Sequence, residues 1–238
     1  NSFETGLKLA PMSLAMLIAA FSGPKLAVKR SPRMIVSVGL VLVIAGSLVL
    51  LSTIDPTLDD TLFAIGMAVF GAGFGLVASQ LGNVIMSSVA EADQGEAGGL
   101  QGTAQNIGTS LGVAMIGAIL ITSLSSGVND LAQKDPALSA QTKSAVAAAT
   151  SGGVDVMTTT QVTMALVESG VPADEATALT DDFAAAQVSA IKDSILFAAF
   201  FAAFGLLIAQ RLPRVPGVEL GAEQSAGNGA EGEPSAPA

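Results

Sequence analysis

The sequence predicts an all-α integral membrane protein with about five transmembrane helices. Its mean hydropathy is +0.62, and 50% of its 238 residues are hydrophobic while only 13% are charged. Five apolar stretches are each about 17 residues or longer, the length that a helix needs to cross about 30 Å of hydrocarbon. A soluble protein would need far more charged surface to cover them, so we exclude the soluble and disordered classes.

The elements follow from the chain in order, and we predict spans at residues 7–27, 34–54, 61–85, 100–124 and 190–212. The second is the clearest, because Met34–Ile54 carries no charge. The first has Lys8 and Lys25 near its ends, where lysine side chains can extend to the interface. The third and fourth lie in long uncharged stretches, 61–90 and 97–129. The last span is short and is expected to take a turn from the residues before it.

Two further segments are not predicted to cross the membrane. Residues 125–189 alternate Ala-rich stretches with turn signals, which predicts an extracellular or periplasmic segment of two or three short amphipathic helices, the last running into the final span. We expect its apolar residues Val162, Met164 and Leu166 to pack against the outer ends of the spans rather than bind a ligand. Residues 213–238 are rich in Gly, Ala, Glu, Ser and Pro and predict a disordered cytoplasmic tail.

The orientation follows from the basic residues. The short loop after the first span contains Lys25, Lys29, Arg30 and Arg33. Arg211 follows the last span, so we expect this loop and the C-terminus in the cytoplasm. The next loop, residues 52–60, contains three acids and no base and falls outside. The net charge of −10 therefore belongs mainly to residues 130–193 and to the tail rather than to one acidic surface.

The missing residue types exclude several kinds of chemistry. The chain has no Cys and no His, which removes the usual zinc and iron–sulfur sites, a thiol nucleophile and a Ser–His pair. The spans also contain no cluster of acids at membrane depth, so we expect neither an enzyme nor a metal or cofactor site. Nucleic acid is excluded as a partner, because the chain lacks a basic stripe and has no Trp or Tyr. The expected partners are the lipid bilayer and a small solute.

The third and fourth spans differ from the others because they carry side-chain amides. An unpaired amide in hydrocarbon is costly, so these residues must face protein or water. They either form hydrogen bonds between helices or line a water-accessible solute pathway, and both interpretations stay open. The pathway candidates are Gln80, Asn83, Gln101, Gln105, Asn106 and Thr109.

The same two spans contain pairs of glycines four residues apart. Such pairs let helix backbones approach closely in lipid, so we predict helix packing; bending during a conformational cycle is the alternative. The pairs are Gly71 and Gly75, Gly98 and Gly102, and Gly108 and Gly112.

Glu4 and Lys8 lie four residues apart at the outer end of the first span. They either line an outer vestibule or cap the helix. No carboxylate lies in the middle of any span. A proton-coupling acid would therefore be Glu4 or lie outside this chain.

Three runs of sequence resemble a known family: ETGLKLAPMSLAMLIAAFSGPKLAVKRSPR, FGAGFGL and NVIMSSVAEADQGEAGGLQGTAQNIGTSLGVAMIGAIL. They are similar to the C-terminal part of major facilitator superfamily transporters, and more narrowly to the fourteen-span drug/proton antiporter branch (EmrB/QacA-type multidrug exporters). The resemblance covers residues 3–125 and 189–213. In loop 25–33, Val28 stands where the family signature has an aspartate and Ser31 where it has a glycine.

The resemblance implies that the chain is a C-terminal fragment, spans ten to fourteen, and that an N-terminal half of the same transporter is its partner. It also implies that the first, third and fourth spans line the cavity. The function it implies is proton-coupled export of drugs or other hydrophobic or cationic molecules by alternating access across a bacterial inner membrane, with the proton gradient as the coupling ion. Alternatives are an exporter of a lipid, sugar or metabolite in the same fold, or a non-transporting membrane scaffold module; the amide-lined faces favour transport.

Overall fold

The computed structural model describes residues 2–54, 60–86 and 89–212, with the backbone alone at residues 2, 4, 5, 86 and 91. Within these ranges the chain is helical almost throughout and contains no strand. The helices are α1 (Ser2–Ala27), α2 (Pro32–Thr53), α3 (Asp60–Met86), α4 (Gln94–Lys134), α5 (Ala140–Thr150), α6 (Thr159–Glu168) and α7 (Ala173–Ala209). Five of them, α1 to α4 and α7, are long and apolar enough to cross a membrane, which confirms the predicted fold class.

The helices α4 and α7 are much longer than the predicted spans. They contain 41 and 37 residues, which is about 62 and 56 Å at 1.5 Å per residue and roughly twice the thickness of the hydrocarbon. The segment predicted at 125–189 therefore consists of the end of α4, the short helices α5 and α6, and the first part of α7. The predicted tail, residues 213–238, and the acidic residues 55–59 lie outside the described residues.

The chain divides into two compact units. Unit 1 contains α1, α2 and α3, residues 94–109 of α4 and α7 from Ala199 onward, and unit 2 contains residues 110–198. In unit 1, α3 is the central helix, because α1 and α2 both pack against it and make few contacts with each other. This arrangement places the predicted pathway residues of α3 and the start of α4 in one unit.

Glycines of α3 make its contacts with both neighbours. A Cβ atom on Gly71 or Gly75 would come well within 3.0 Å of a carbonyl oxygen of α1, that of Met12 for Gly71. On the other side, a Cβ atom on Gly73 would lie 2.5 Å from the carbonyl oxygen of Gly39 in α2. The obstacles are backbone atoms, which cannot rotate away, so a larger residue fits at none of these positions without moving a helix.

Unit 2 has a hydrophobic core built from α4, α5, α6 and α7. Its buried members are Leu124, Val128, Ala132, Leu138, Val146, Val162, Leu179, Phe183, Ala186 and Ala190. Val162 lies in this core and Leu166 packs against it, as expected for two residues four apart on one helix face. The expectation for Met164 is wrong: it points away from that face and is 58% exposed.

Candidate transport-pathway residues

Gln80 is fully buried in unit 1, with 0% of its surface exposed. Its Nε2 donates to the hydroxyl of Ser79 at 3.3 Å, while its Oε1 is buried and accepts no hydrogen bond from the described residues. A Cβ atom on Gly23 of α1 would lie 3.3 Å from the Gln80 Nε2, so this amide sits at the contact between α1 and α3. Gln80 is thus an interhelical residue whose side-chain oxygen has no described hydrogen-bond donor. Burying a polar atom without a partner costs folding free energy.

The far end of α3 comes next to the start of α4. A Cβ atom on Gly82 would lie 4.0 Å from the Nε2 atom of Gln101. Gln101 and Asn83 are both half-buried. The structure thus brings Gln101 to the end of α3 that also carries Gln80 and Asn83.

The remaining candidates lie on α4 and are exposed: Gln105, Asn106 and Thr109. The hydroxyl of Thr109 donates to the carbonyl oxygen of Gln105 at 2.8 Å, which leaves both the Gln105 amide group and the lone pairs of the hydroxyl for other partners. At about 100° per residue, Gln101, Gln105 and Thr109 fall within about 80° of one another on one helix face.

The opposite face of this part of α4 is apolar. It carries Leu100, Ile107 and Leu111, which are 72%, 63% and 59% exposed. The polar face also carries Gly108 and Gly112, at the spacing that keeps them beside the amides. This half of α4 is therefore amphipathic, with amides, a hydroxyl and glycines on one side and large aliphatic side chains on the other.

The glycines of α4 differ from those of α3. No heavy atom of a described neighbour comes within 4 Å of a Cβ atom placed on Gly102, Gly108 or Gly112, and Gly98 is half-buried. Among the described residues, no other helix therefore comes into contact range of a Cβ atom at Gly102, Gly108 or Gly112. The role of these glycines in helix packing stays a prediction, because no described helix lies close enough to test it.

The starts of α1 and α3 are joined by an ion pair. Lys8 Nζ donates to Asp60 Oδ1 at 2.7 Å, beside a cavity of about 540 Å³ whose lining includes Pro11 and Phe63. Glu4, the partner considered for Lys8, lies in α1, and its side chain is outside what the structure describes. Sequence spacing could not find Asp60, which is 52 residues away, but the predicted topology could have, because it puts the starts of both helices on the same side.

The opposite ends of unit 1 carry the basic residues. Lys25, Lys29 and Arg30 are exposed, and the guanidinium group of Arg33 donates to the side-chain oxygen of Gln210. This hydrogen bond places the start of α2 next to the end of α7. The two basic ends predicted for the same side of the membrane are thus adjacent in unit 1.

The chemistry available to these residues is hydrogen bonding rather than acid–base catalysis. Within residues 2–54, 60–86 and 89–212, no three acidic residues come together in a way that could hold a metal ion. Residues 61–85 and 100–124 contain no Asp, Glu, Lys or Arg. Amides and hydroxyls in these spans can bind and orient a solute or water.

Comparison with known proteins points to membrane transport. Residues 1–113 match the family model described as Major Facilitator Superfamily. A 120-residue stretch is 28% identical to the "Multidrug transporter protein MdtP" of Bacillus subtilis, and a 122-residue stretch is 34% identical to the "Uncharacterized transporter YebQ" of Escherichia coli. Each stretch is 50% of this chain and spans 22% and 26% of the respective relative. No solved structure gives a significant match.

These matches support the major facilitator superfamily for the first half of the chain, and a transporter rather than an enzyme. With the five apolar helices they also support a multi-pass membrane protein. The aligned part is about a quarter of the length of these curated relatives.

Proposed function

We propose that this chain is part of a proton-coupled transporter of the major facilitator superfamily that exports drugs or other hydrophobic or cationic small molecules by alternating access. The observation that carries the proposal is the amphipathic first half of α4, where Gln101, Gln105 and Thr109 share one face of a helix able to cross a membrane. Amides on such a helix require protein or water rather than lipid. A solute pathway supplies that environment, and a simple anchor has no use for it.

The export of drugs rests on similarity. One relative is named a multidrug transporter, while the other is named an uncharacterized transporter, so the class of solute and the proton coupling belong to the proposal. The residues of α4 suit a bulky, weakly polar solute, because the amides offer hydrogen bonds without a fixed charge. We place the coupling acid at Glu4 or outside this chain.

The proposed orientation puts the C-terminus in the cytoplasm of a bacterium. Two contacts of unit 1 support it: the ion pair of Lys8 joins the starts of α1 and α3, and the hydrogen bond of Arg33 joins the start of α2 to the end of α7. The second pair of ends carries the basic loop, which the positive-inside rule assigns to the cytoplasm.

Accessibility of α4 to water tests the pathway. The chain has no Cys, so single cysteines can be placed in the complete transporter at Gln105 and, as a control, at Leu48 of α2, which is 52% exposed on an aliphatic helix. A membrane-impermeant thiol reagent should label position 105 from one side and leave position 48 unlabelled. Equal protection of both positions would overturn the pathway assignment.

Transport itself is tested in inverted membrane vesicles across which a pH gradient is imposed. Uptake of a cationic dye should collapse when a protonophore is added. Gln105→Ala should slow uptake about fivefold or more, whereas Ile107→Ala, on the opposite face of the same helix, should leave it unchanged. Dye uptake that is insensitive to the protonophore would refute proton coupling, and equal effects of both substitutions would refute the pathway face.

A further inference from the structure

Unit 2 contains a second cavity, of about 610 Å³, that none of the pathway residues lines. It lies between α5, the turn that connects α6 to α7, and the first turns of α7. Its volume is within the range of about 300–1,000 Å³ that is common for small-molecule sites.

The walls of this cavity combine an apolar part with polar side chains, among them Thr142 and Ser169, and a defined turn holds one side in place. Val146, Leu166, Val171 and Leu179 are among the lining residues. The turn after α6 has Gly170 at φ +80°, and the N–H of Val171 donates to the carbonyl oxygen of Leu166 at 3.1 Å, which closes the helix end in the Schellman geometry. The apolar walls are therefore attached to rigid helix ends.

One carboxylate, that of Glu175, lies in this wall. It accepts hydrogen bonds from the side chain of Thr142 and from the backbone N–H and hydroxyl of Ser139, at 3.2 and 3.1 Å for the latter two. The hydrogen bond of Thr142 is the largest cause that holds the pKa of Glu175 below its ordinary value, and those of Ser139 add to it. Glu175 is thus ionised near neutral pH. A carboxylate has about four acceptor positions, so about one remains for a further partner.

No lysine or arginine of the described residues forms an ion pair with Glu175. The nearby lysines of unit 2 are bonded elsewhere: Lys134 pairs with Asp130 at 2.5 Å, and Lys143 donates to the carbonyl oxygen of Gln133 at 3.0 Å. Lys192 lies 17 residues further along α7, about 25 Å away at 1.5 Å per residue. Within the described parts of the chain, no cationic side chain forms an ion pair with the negative charge in the cavity wall.

We infer that this cavity binds an organic cation with an apolar body, with Glu175 as the counter-charge and Val146, Leu166, Val171 and Leu179 as the apolar walls. An anion would face the ionised carboxylate, and an inorganic cation would leave the apolar walls unused. This site is separate from the proposed pathway and does not rest on the proposed function, because binding is measured without transport.

The test compares two probes of the same size and shape but opposite charge, tetraphenylphosphonium and tetraphenylborate. The full chain in detergent micelles carries ¹³C-labelled Leu and Val methyl groups, and each probe is titrated. The phosphonium should cause saturable shifts at the methyl groups of the four apolar wall residues, while the borate should not. Equal saturable shifts with both probes, or shifts spread equally over Val41 and Leu48 of α2, would overturn the site.

Two variants and a control test separately the charge of Glu175 and the space in the cavity. Glu175→Gln keeps an acceptor for Ser139 but removes the charge, and should weaken phosphonium binding about tenfold, as expected for a partly exposed charge pair. Glu168→Gln removes an exposed acid of α6 that does not line the cavity and should leave the affinity unchanged. Ala149→Phe fills the cavity without changing the charge and should abolish saturable binding.

An unchanged affinity in Glu175→Gln, with the methyl spectrum otherwise preserved, would refute the inference. If that variant loses its dispersed spectrum, Ala149→Phe decides alone: loss of binding supports the site and retained binding overturns it. Either result leaves the transport assays of the complete transporter unaffected, so failure of this site and failure of the proposed function are distinguishable.

Discussion

Replacing Gly71 by alanine should destabilise unit 1 through a single methyl group. The new Cβ atom would come well within 3.0 Å of the carbonyl oxygen of Met12 and 2.9 Å from its carbonyl carbon. Both are backbone atoms, so relief requires that α1 move away from α3. The expected result is a less stable contact between these two helices.

The magnitude follows from two opposing effects. Overpacking of a tight contact costs about 1–3 kcal/mol, and here the rigid obstacle favours the upper part of that range. Alanine favours a helix over glycine by about 1 kcal/mol. We therefore expect a net loss of about 1–2 kcal/mol for Gly71→Ala. Gly6→Ala is the matched control: it is also in a helix, has no such neighbour within 4 Å, and should gain up to about 1 kcal/mol.

The measurement is unfolding of the chain in mild detergent by added sodium dodecyl sulfate. The chain has no Trp or Tyr, so helicity by far-ultraviolet circular dichroism is the readout. The midpoint for Gly71→Ala should fall below that of the parent chain, while that for Gly6→Ala should equal or exceed it. If both variants unfold at the same midpoint, the close approach of α1 and α3 at Gly71 is refuted.

Three further predictions use the same measurement. Lys8→Ala should cost at most about 1 kcal/mol, because the ion pair with Asp60 is largely exposed; a loss above about 2 kcal/mol would contradict this. Gln80→Met should be neutral or stabilising, since it removes a buried oxygen that accepts no hydrogen bond from the described residues; a clear loss would show that the amide is paired. Burial raises the pKa of Asp182, and the negative charges of Asp135 and Asp181 raise it further. The protonated form of Asp182 therefore favours folding. That contribution is present below the unfolded value of about 3.9 and is lost as pH rises through the folded pKa. Asp182→Asn should therefore be more stable than the parent at pH 7, with a difference that shrinks towards pH 4.

The apolar spans were predictable because their length and composition are set by the bilayer. The continuation of α7 into the final span was also predicted. The length of α4 was not, because its outer part, residues 125–134, is polar and carries the charges of Asp130 and Lys134, so the hydropathy falls there although the helix continues. Hydropathy reports the environment of a residue, whereas the outer part of α4 is helical because Val128 and Ala132 pack in the core of unit 2.

Contacts between distant residues were only partly within reach of the sequence. Lys8 and Asp60 are 52 residues apart in the sequence, so their ion pair follows from the predicted topology and not from residue spacing. Met164 was assigned to a packed face although it lies on the side of α6 away from Val162. Glycine spacing indicated a close approach of helices, but the sequence could not tell that Gly71 meets another helix while Gly108 meets no described atom. That difference depends on which helices are neighbours.

The two sets of glycines suggest which parts of unit 1 can move. α3 is held against α1 through Gly71 and Gly75 and against α2 through Gly73, in each case by contacts to backbone. Packed contacts of this kind do not deform gradually, so α1, α2 and α3 should move as one body. A path between the end of α3 and the polar face of α4 would then open by movement of α4 relative to that body. The side chain of Gln101 lies next to the end of α3, so such a movement would change its contacts with α3 directly.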